Sequence, residues 1–149
     1  MKKPEKPSIG SDLEKKVAII TGGGSGIGEG IATLFSQNKA RVYILDIDEK
    51  KGMKVQNKII ENNNFGKFYN CDVSKKENVE HTINKILNVE NNIDILVNNA
   101  GVSHIGTIEQ TTTSDLDRLY EINVKSIFFV TKSIIREMVK NNGGVVLNL

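Results

Sequence analysis

Thr21-Gly22-Gly23-Gly24-Ser25-Gly26-Ile27-Gly28 follows directly on an apolar run, Val17 to Ile20, and leads directly into a segment with helical spacing. A strand that enters a glycine-rich turn and then a helix gathers bare backbone N–H groups at the positive end of a helix dipole, which suits a phosphate. Glycine serves such a turn by allowing positive φ and by keeping side chains out of an anion's approach. The G-x-G-x-x-G string is absent, and Gly22, Gly26 and Gly28 stand in T-G-x-x-x-G-x-G spacing instead. Glycine-rich loops alone are weak signals, and a merely flexible loop is the alternative; the flanking strand and helix favour nucleotide binding.

Outward from that loop, short β-branched runs alternate with longer segments of helical period. Strands are expected over Val17 to Thr21, Arg41 to Leu45, Gly66 to Asn70, Ile93 to Val97 and Val145 to Leu149. Apolar stripes predict helices between them: Ile27, Ile31, Leu34 and Phe35 in the first, Met53, Ile59 and Ile60 in the second, about Glu49 to Asn62, and Val79, Ile83, Ile86 and Leu87 in the third. This alternation implies parallel strands joined by crossovers, hence a doubly wound α/β sheet whose ligands lie beyond the carboxyl ends of the strands.

Those ends fall on one edge: the glycine loop, Asp46, Cys71-Asp72-Val73 and Asn98-Asn99-Ala100-Gly101. Asp46 stands at about the distance from the glycines at which an acidic residue accepts hydrogen bonds from an adenosine ribose. A carboxylate there repels a 2′-phosphate, no Lys or Arg lies in the glycine loop, and Ile47 and Asp48 follow, so NAD is favoured over NADP. The competing reading of Asp46 is a solvated loop acid. Asp72 is open between an Asx-turn residue and a partner for the adenine amino group, and the paired asparagines between turn formers and crevice lining.

A long helix is expected from about Asp115 to Asn141, with the stripe Leu116, Leu119, Asn123, Ile127, Val130, Ile134 and Met138. Asn123 is its strongly polar member, and must bond to nearby backbone or hold water at a functional spot. Ile127, Phe128, Phe129 and Val130 are consecutive and cannot all face one sheet, which suggests a second covered face and a partner subunit.

The 149 residues, 38% hydrophobic and 26% charged, fit one globular domain. A net charge of +2 with mixed signs leaves no basic stripe for nucleic acid and no membrane-binding face. Cys71 alone allows no internal disulfide, and with His81 and His104 as the only histidines no structural metal is expected. No apolar run reaches the ~20 residues of a membrane span. The lysine-rich start lacks a signal peptide's apolar core, so a cytoplasmic location is expected. Residues 1–16, which hold both prolines, are expected to be a mobile tail before an incomplete dinucleotide-binding domain, 17–149.

From Val17 to its last residue the chain resembles the N-terminal part of a short-chain dehydrogenase/reductase. The resemblance rests on Thr21 to Gly28 as the family's T-G-x-x-x-G-x-G, Asp72 after the third strand, Asn98 to Gly101 as N-N-A-G, and Asn123 as its catalytic asparagine. It implies a Rossmann-type sheet and a nicotinamide cofactor that exchanges hydride with an alcohol or carbonyl, as in 3-oxoacyl reductases. It also implies a homo-oligomer paired through the 115–141 helix. The implied cofactor contacts are Thr21, Gly22, Ser25, Gly26, Ile27, Gly28, Asp46, Asp72, Val73, Asn98, Ala100 and Gly101. The family's tyrosine acts as general acid/base beside a lysine four residues on, a serine orients the carbonyl, and the asparagine holds a water in the proton path. None of Tyr43, Tyr69 and Tyr120 has such a lysine, and the chain ends in the fifth strand, before the family's serine. The sheet is therefore expected to stop at an exposed edge. Two functions follow: the cofactor-binding part of an oxidoreductase, acting on a carbonyl or alcohol only if completed by further polypeptide, or a non-catalytic NAD-binding module. His104, just past N-N-A-G, is the remaining titratable candidate for the crevice, with an exposed loop position as its alternative.

Overall fold

The computed structural model describes residues 13–149. Five strands are all parallel: β1 (Val17–Thr21), β2 (Arg41–Asp46), β3 (Gly66–Asn70), β4 (Ile95–Asn98) and β5 (Val145–Asn148). Their order is β3-β2-β1-β4-β5, so the chain winds one way from β1 to β3 and then the other way to β5. The reversal leaves a crevice at the carboxyl ends of β1 and β4, where ligands of such sheets bind. The sequence-based strand bounds hold to within two residues.

Side-chain alternation sorts the sheet into two cores. Val17, Ile19, Tyr43 and Leu45 face one side with Val79, Ile83 and Ile86 of α3 (Lys76–Leu87) and Val130, Ile134 and Met138 of α5 (Ser126–Lys140). Ile20, Val42 and Ile44 face the other with Ala32 of α1 (Gly26–Gln37) and Val55 and Ile59 of α2 (Glu49–Glu61). The chain is thus a doubly wound α/β sheet of Rossmann type.

Two apolar stripes read from the sequence are only partly buried: Ile31 and Phe35 of the first pack on the second core and Ile59 of the second is buried, while their other members face out. In α1 the buried residues are Gly28, Ala32 and Ser36, whereas Ile27 is 69% exposed and Leu34 is also exposed. In α2 they are Gly52, Val55 and Ile59, with Met53 and Ile60 outside. At their points of closest approach to neighbouring elements both helices present a small residue. A Cβ at Gly52 would come within 2.1 Å of the Phe68 ring.

The expected long helix is three pieces: α4 (Thr113–Tyr120), a π-helical turn at Glu121–Lys125, and α5. A capping box of Thr112 and Asp115 starts α4. Leu116 is exposed and Asn123 half-buried, so only the stripe from Val130 onward is core. β5 is an edge strand, and Val145, Val146 and Leu147 are exposed. Most of the expected tail lies outside the described residues. Leu13 to Lys16, however, form a turn in which Leu13 packs on the second core and Lys16 Nζ lies 3.0 Å from Asp94. No described helix is long and apolar enough to cross a membrane, and no described cluster of His, Cys, Asp or Glu could hold a metal.

Candidate dinucleotide-binding cleft

The glycine loop is held by its neighbours. Gly22 has φ of +62°, its N–H donates to Leu45 O at 2.7 Å, and its carbonyl accepts from Asn99 Nδ2 at 3.1 Å. Asn99 Nδ2 also donates to Thr21 O, and the Thr21 hydroxyl accepts from the N–H groups of Asn99 and Ala100, each at 3.0 Å. These bonds tie the ends of β1 and β4 together. Ser25, the N-cap of α1, makes no side-chain capping bond. The N–H groups of Ser25, Gly26, Ile27 and Gly28 find no acceptor among the described residues. Four unpaired amides at a helix start offer an anion site by backbone alone.

A cleft of about 380 Å³ opens beside this loop. Gly22 and Ser25 form one wall; Asp46, flanked by Leu45 and Ile47, and Asp72, flanked by Cys71 and Val73, form the far end. Asn99 to Val102 and Ile122 close the near end. A second hollow of about 500 Å³ shares Asn99 to Val102 and continues past Asn123 to Leu149. Together they make one groove along the strand ends, acidic at one end and with Ser25, the first of the four residues with unpaired amides, in its wall.

Asp46 is positioned by two backbone donors: Gly24 N–H on Oδ2 at 2.8 Å and Asp48 N–H on Oδ1 at 2.9 Å. No Lys or Arg lines the cleft among the described residues. Asp72 makes the expected Asx turn, its Oδ1 accepting from Ser74 N–H and Oγ, and it also lines the cleft. Burial pushes the Cys71 thiol above its ordinary pKa.

Asn123 lines the second hollow on the π-helical turn, a feature that recurs at functional sites. Its Oδ1 accepts from Val102 N–H at 2.8 Å and its Nδ2 donates to Val102 O at 2.9 Å. The carboxamide thus acts as a clip on the loop after β4, a partner 21 residues away rather than local backbone.

Several expected site residues stand elsewhere. Thr21 is 2% exposed and Asn98 4% exposed; Asn98 Nδ2 donates to Thr131 and Asn148, so both residues brace the sheet instead of lining the cleft. Asn99, left open as a turn former, lines it. Gly28 is buried, and a Cβ there would come within 2.2 Å of the Gly22 carbonyl, so packing inside the loop excludes a side chain before any phosphate does. Gly26 and Ile27 are exposed and contribute their amides; the Ile27 side chain points to solvent. His104 lines neither hollow and lies 3.7 Å from Asp115. Val102 and Ile122 were not expected in the walls. The apolar pair flanking Asn123 and following N-N-A-G was their only signal in the sequence.

Similar proteins agree with this geometry. The short chain dehydrogenase family model matches residues 16–149. An uncharacterized oxidoreductase of Thermotoga maritima is 38% identical over 138 residues, 93% of this chain and 54% of its own length. The 3-oxoacyl-[acyl-carrier-protein] reductase FabG of Buchnera aphidicola is 33% identical over 135 residues, 91% of this chain and 54% of its own. Among solved structures, a metagenomic short-chain oxidoreductase in complex with NADP superposes with a TM-score of 0.88 at 27% identity, covering 93% of this chain and 63% of its own. A 7 alpha-hydroxysteroid dehydrogenase complexed with NADH and 7-oxo glycochenodeoxycholic acid gives 0.87 at 34%, covering 92% and 53%. The chain spans about half the length of the curated relatives it matches. With the braced glycine loop, the parallel order β3-β2-β1-β4-β5 and a family match over 134 residues or nearly the whole chain, this protein belongs to the short-chain dehydrogenase family.

Proposed function

We propose that this chain is the cofactor-binding part of an NAD-dependent short-chain oxidoreductase. The observation that carries the reading is the groove that runs from Ser25, where a row of four unpaired amides begins, to an acidic far end. Ser25 to Gly28 hold the pyrophosphate through backbone N–H groups, and Gly22 and Gly26, both at positive φ, shape the turn. Asp46, fixed by Gly24 and Asp48, accepts from the adenosine ribose; its charge, with no cation in the cleft, supports NAD over NADP. Val73 and Asp72 bound the adenine end, and Ala100 and Gly101 the passage toward Asn123. When bound, the nicotinamide supplies the hydride chemistry. Asn123 holds the 99–102 turn at the mouth where a carbonyl or alcohol would enter. Proton transfer falls to serine, tyrosine and lysine carried by further polypeptide, consistent with the half-length match to relatives. Pairing of copies through the 115–141 helix and a cytoplasmic location belong to the same proposal; exposed Phe128 supports the first.

One observation favours a non-catalytic NAD module as the second reading. The titratable side chains lining the groove among the described residues are Asp46, Cys71 and Asp72, all at the adenine end. NADH absorbance with a panel of ketones and secondary alcohols separates the readings. Turnover only on mixing with a polypeptide supplying the second half supports the oxidoreductase, and its absence the module. The cofactor assignment is tested by titrating NADH and NADPH against wild type and Asp46→Ala/Ile47→Arg. Wild type is expected to prefer NADH and the double variant NADPH. An unchanged preference overturns the role of Asp46, and binding of neither overturns the function.

A further inference from the structure

We infer that Ser74 and Asn78 are positioning residues that turn Asp72 into a selective acceptor for a 6-aminopurine, rejecting 6-oxopurines at the far end of the groove. The inference rests on the dinucleotide reading above and concerns which base the site accepts.

Asp72 is fixed from two directions. Its backbone N–H donates to Asn78 Oδ1 at 2.6 Å, which ties the end of β3 to the first turn of α3. Its Oδ1 accepts from both donors of Ser74, the N–H at 3.0 Å and the hydroxyl at 2.7 Å. No described residue donates to Oδ2, so this oxygen is the acceptor left for a ligand in the cleft that Asp72 lines.

An ionised carboxylate only accepts hydrogen bonds. Held with one oxygen saturated, it offers the other to a donor such as adenine's amino group. A 6-oxo group in the same place sets acceptor against acceptor and leaves both unpaired, which is how a site rejects an isostere. Without the Ser74 hydroxyl, the carboxylate keeps a single N–H anchor and is free to rotate about χ2. It then tolerates both bases more evenly.

The test compares NADH with its hypoxanthine analogue by calorimetry, on wild type, Ser74→Ala, Ser74→Thr and Asn78→Ala, with thermal melts of each. Wild type is expected to favour the adenine form by roughly ten-fold or more, the worth of one hydrogen bond to a charged group. Ser74→Ala and Asn78→Ala should shrink that ratio while the analogue's own affinity holds, and Ser74→Thr should restore it. If Ser74→Ala weakens both cofactors equally, or leaves the ratio intact, the positioning role is wrong. If wild type binds both forms equally, base selection falls and the dinucleotide reading stands. If it binds neither, both fall. Should Ser74→Ala fail to melt cooperatively, the Ser74→Thr and Asn78→Ala ratios decide.

Discussion

Replacing Gly28 by alanine separates a glycine needed for packing from one needed for conformation. The new Cβ would lie 2.2 Å from the Gly22 carbonyl oxygen and 2.5 Å from Asn99 Nδ2, about an ångström short of the 3.4 Å at which ordinary contact begins. Both atoms are tied to each other by the 3.1 Å bond that shapes the loop, so neither yields without the other. Overpacking of this kind costs about 1–3 kcal/mol, and loss of the hydrogen bond about 1 kcal/mol more. Alanine regains roughly 0.4–1 kcal/mol through the unfolded chain. The net loss is about 1–3 kcal/mol, which at roughly 2–4 °C per kcal/mol lowers the melting temperature by about 2–12 °C. Gly26→Ala is the control: its φ is +56° and nothing lies within 4 Å of the added methyl. Left-handed strain of about 1–2 kcal/mol, partly offset in the same way, should lower it by no more than ~6 °C. Differential scanning calorimetry gives the order, and NADH titration should show the larger loss of affinity for Gly28→Ala. A Gly28→Ala protein that melts with wild type would refute the claim that loop packing, and not phosphate approach, fixes this position.

Further expectations concern the base of the sheet and the outer helix face. Glu90 Oε1 accepts from Tyr43 Oη and lies 2.6 Å from Arg41, whose guanidinium stacks on Phe65. Glu90→Ala should cost about 1–3 kcal/mol in urea denaturation, less than a fully buried pair because Arg41 is over a third exposed. Burial, then the neighbouring Glu90 carboxylate, raises the Tyr43 pKa, so the folded protein keeps this proton where the unfolded chain loses it. Stability from this group is therefore full below the ordinary tyrosine value of about 10 and declines as pH rises above it. That part of the alkaline decline should be missing from Tyr43→Phe in denaturation at pH 8 to 11. Phe128→Asp should weaken self-association in sedimentation velocity at micromolar concentration if α5 pairs copies of the chain, since Phe128 is 58% exposed. A wild type that stays monomeric counts against that interface.

The sequence by itself determined what depends on neighbours along the chain. A β-branched run, a glycine turn and a helical period are local, so β1, the loop and α1 were legible, as were the alternation of elements and the strand ends that meet at the groove. Tertiary structure decided which side of each element faces what. Periodicity counts apolar residues, but close packing puts Gly28 against the glycine loop and Ala32 and Gly52 in the second core's layer, and leaves Ile27 and Met53 outside. Asn98 and Asn99 are alike in sequence; side-chain alternation in β4 sends the first into the sheet against Asn148 and leaves the second in the cleft. Thr21 stands in the expected motif, yet its hydroxyl is taken by the amides of Asn99 and Ala100. The clip between Asn123 and Val102 needed the π-helical turn and the loop after β4 to meet across 21 residues. Contacts of that span depend on how close the packed elements approach, which no spacing along the chain encodes.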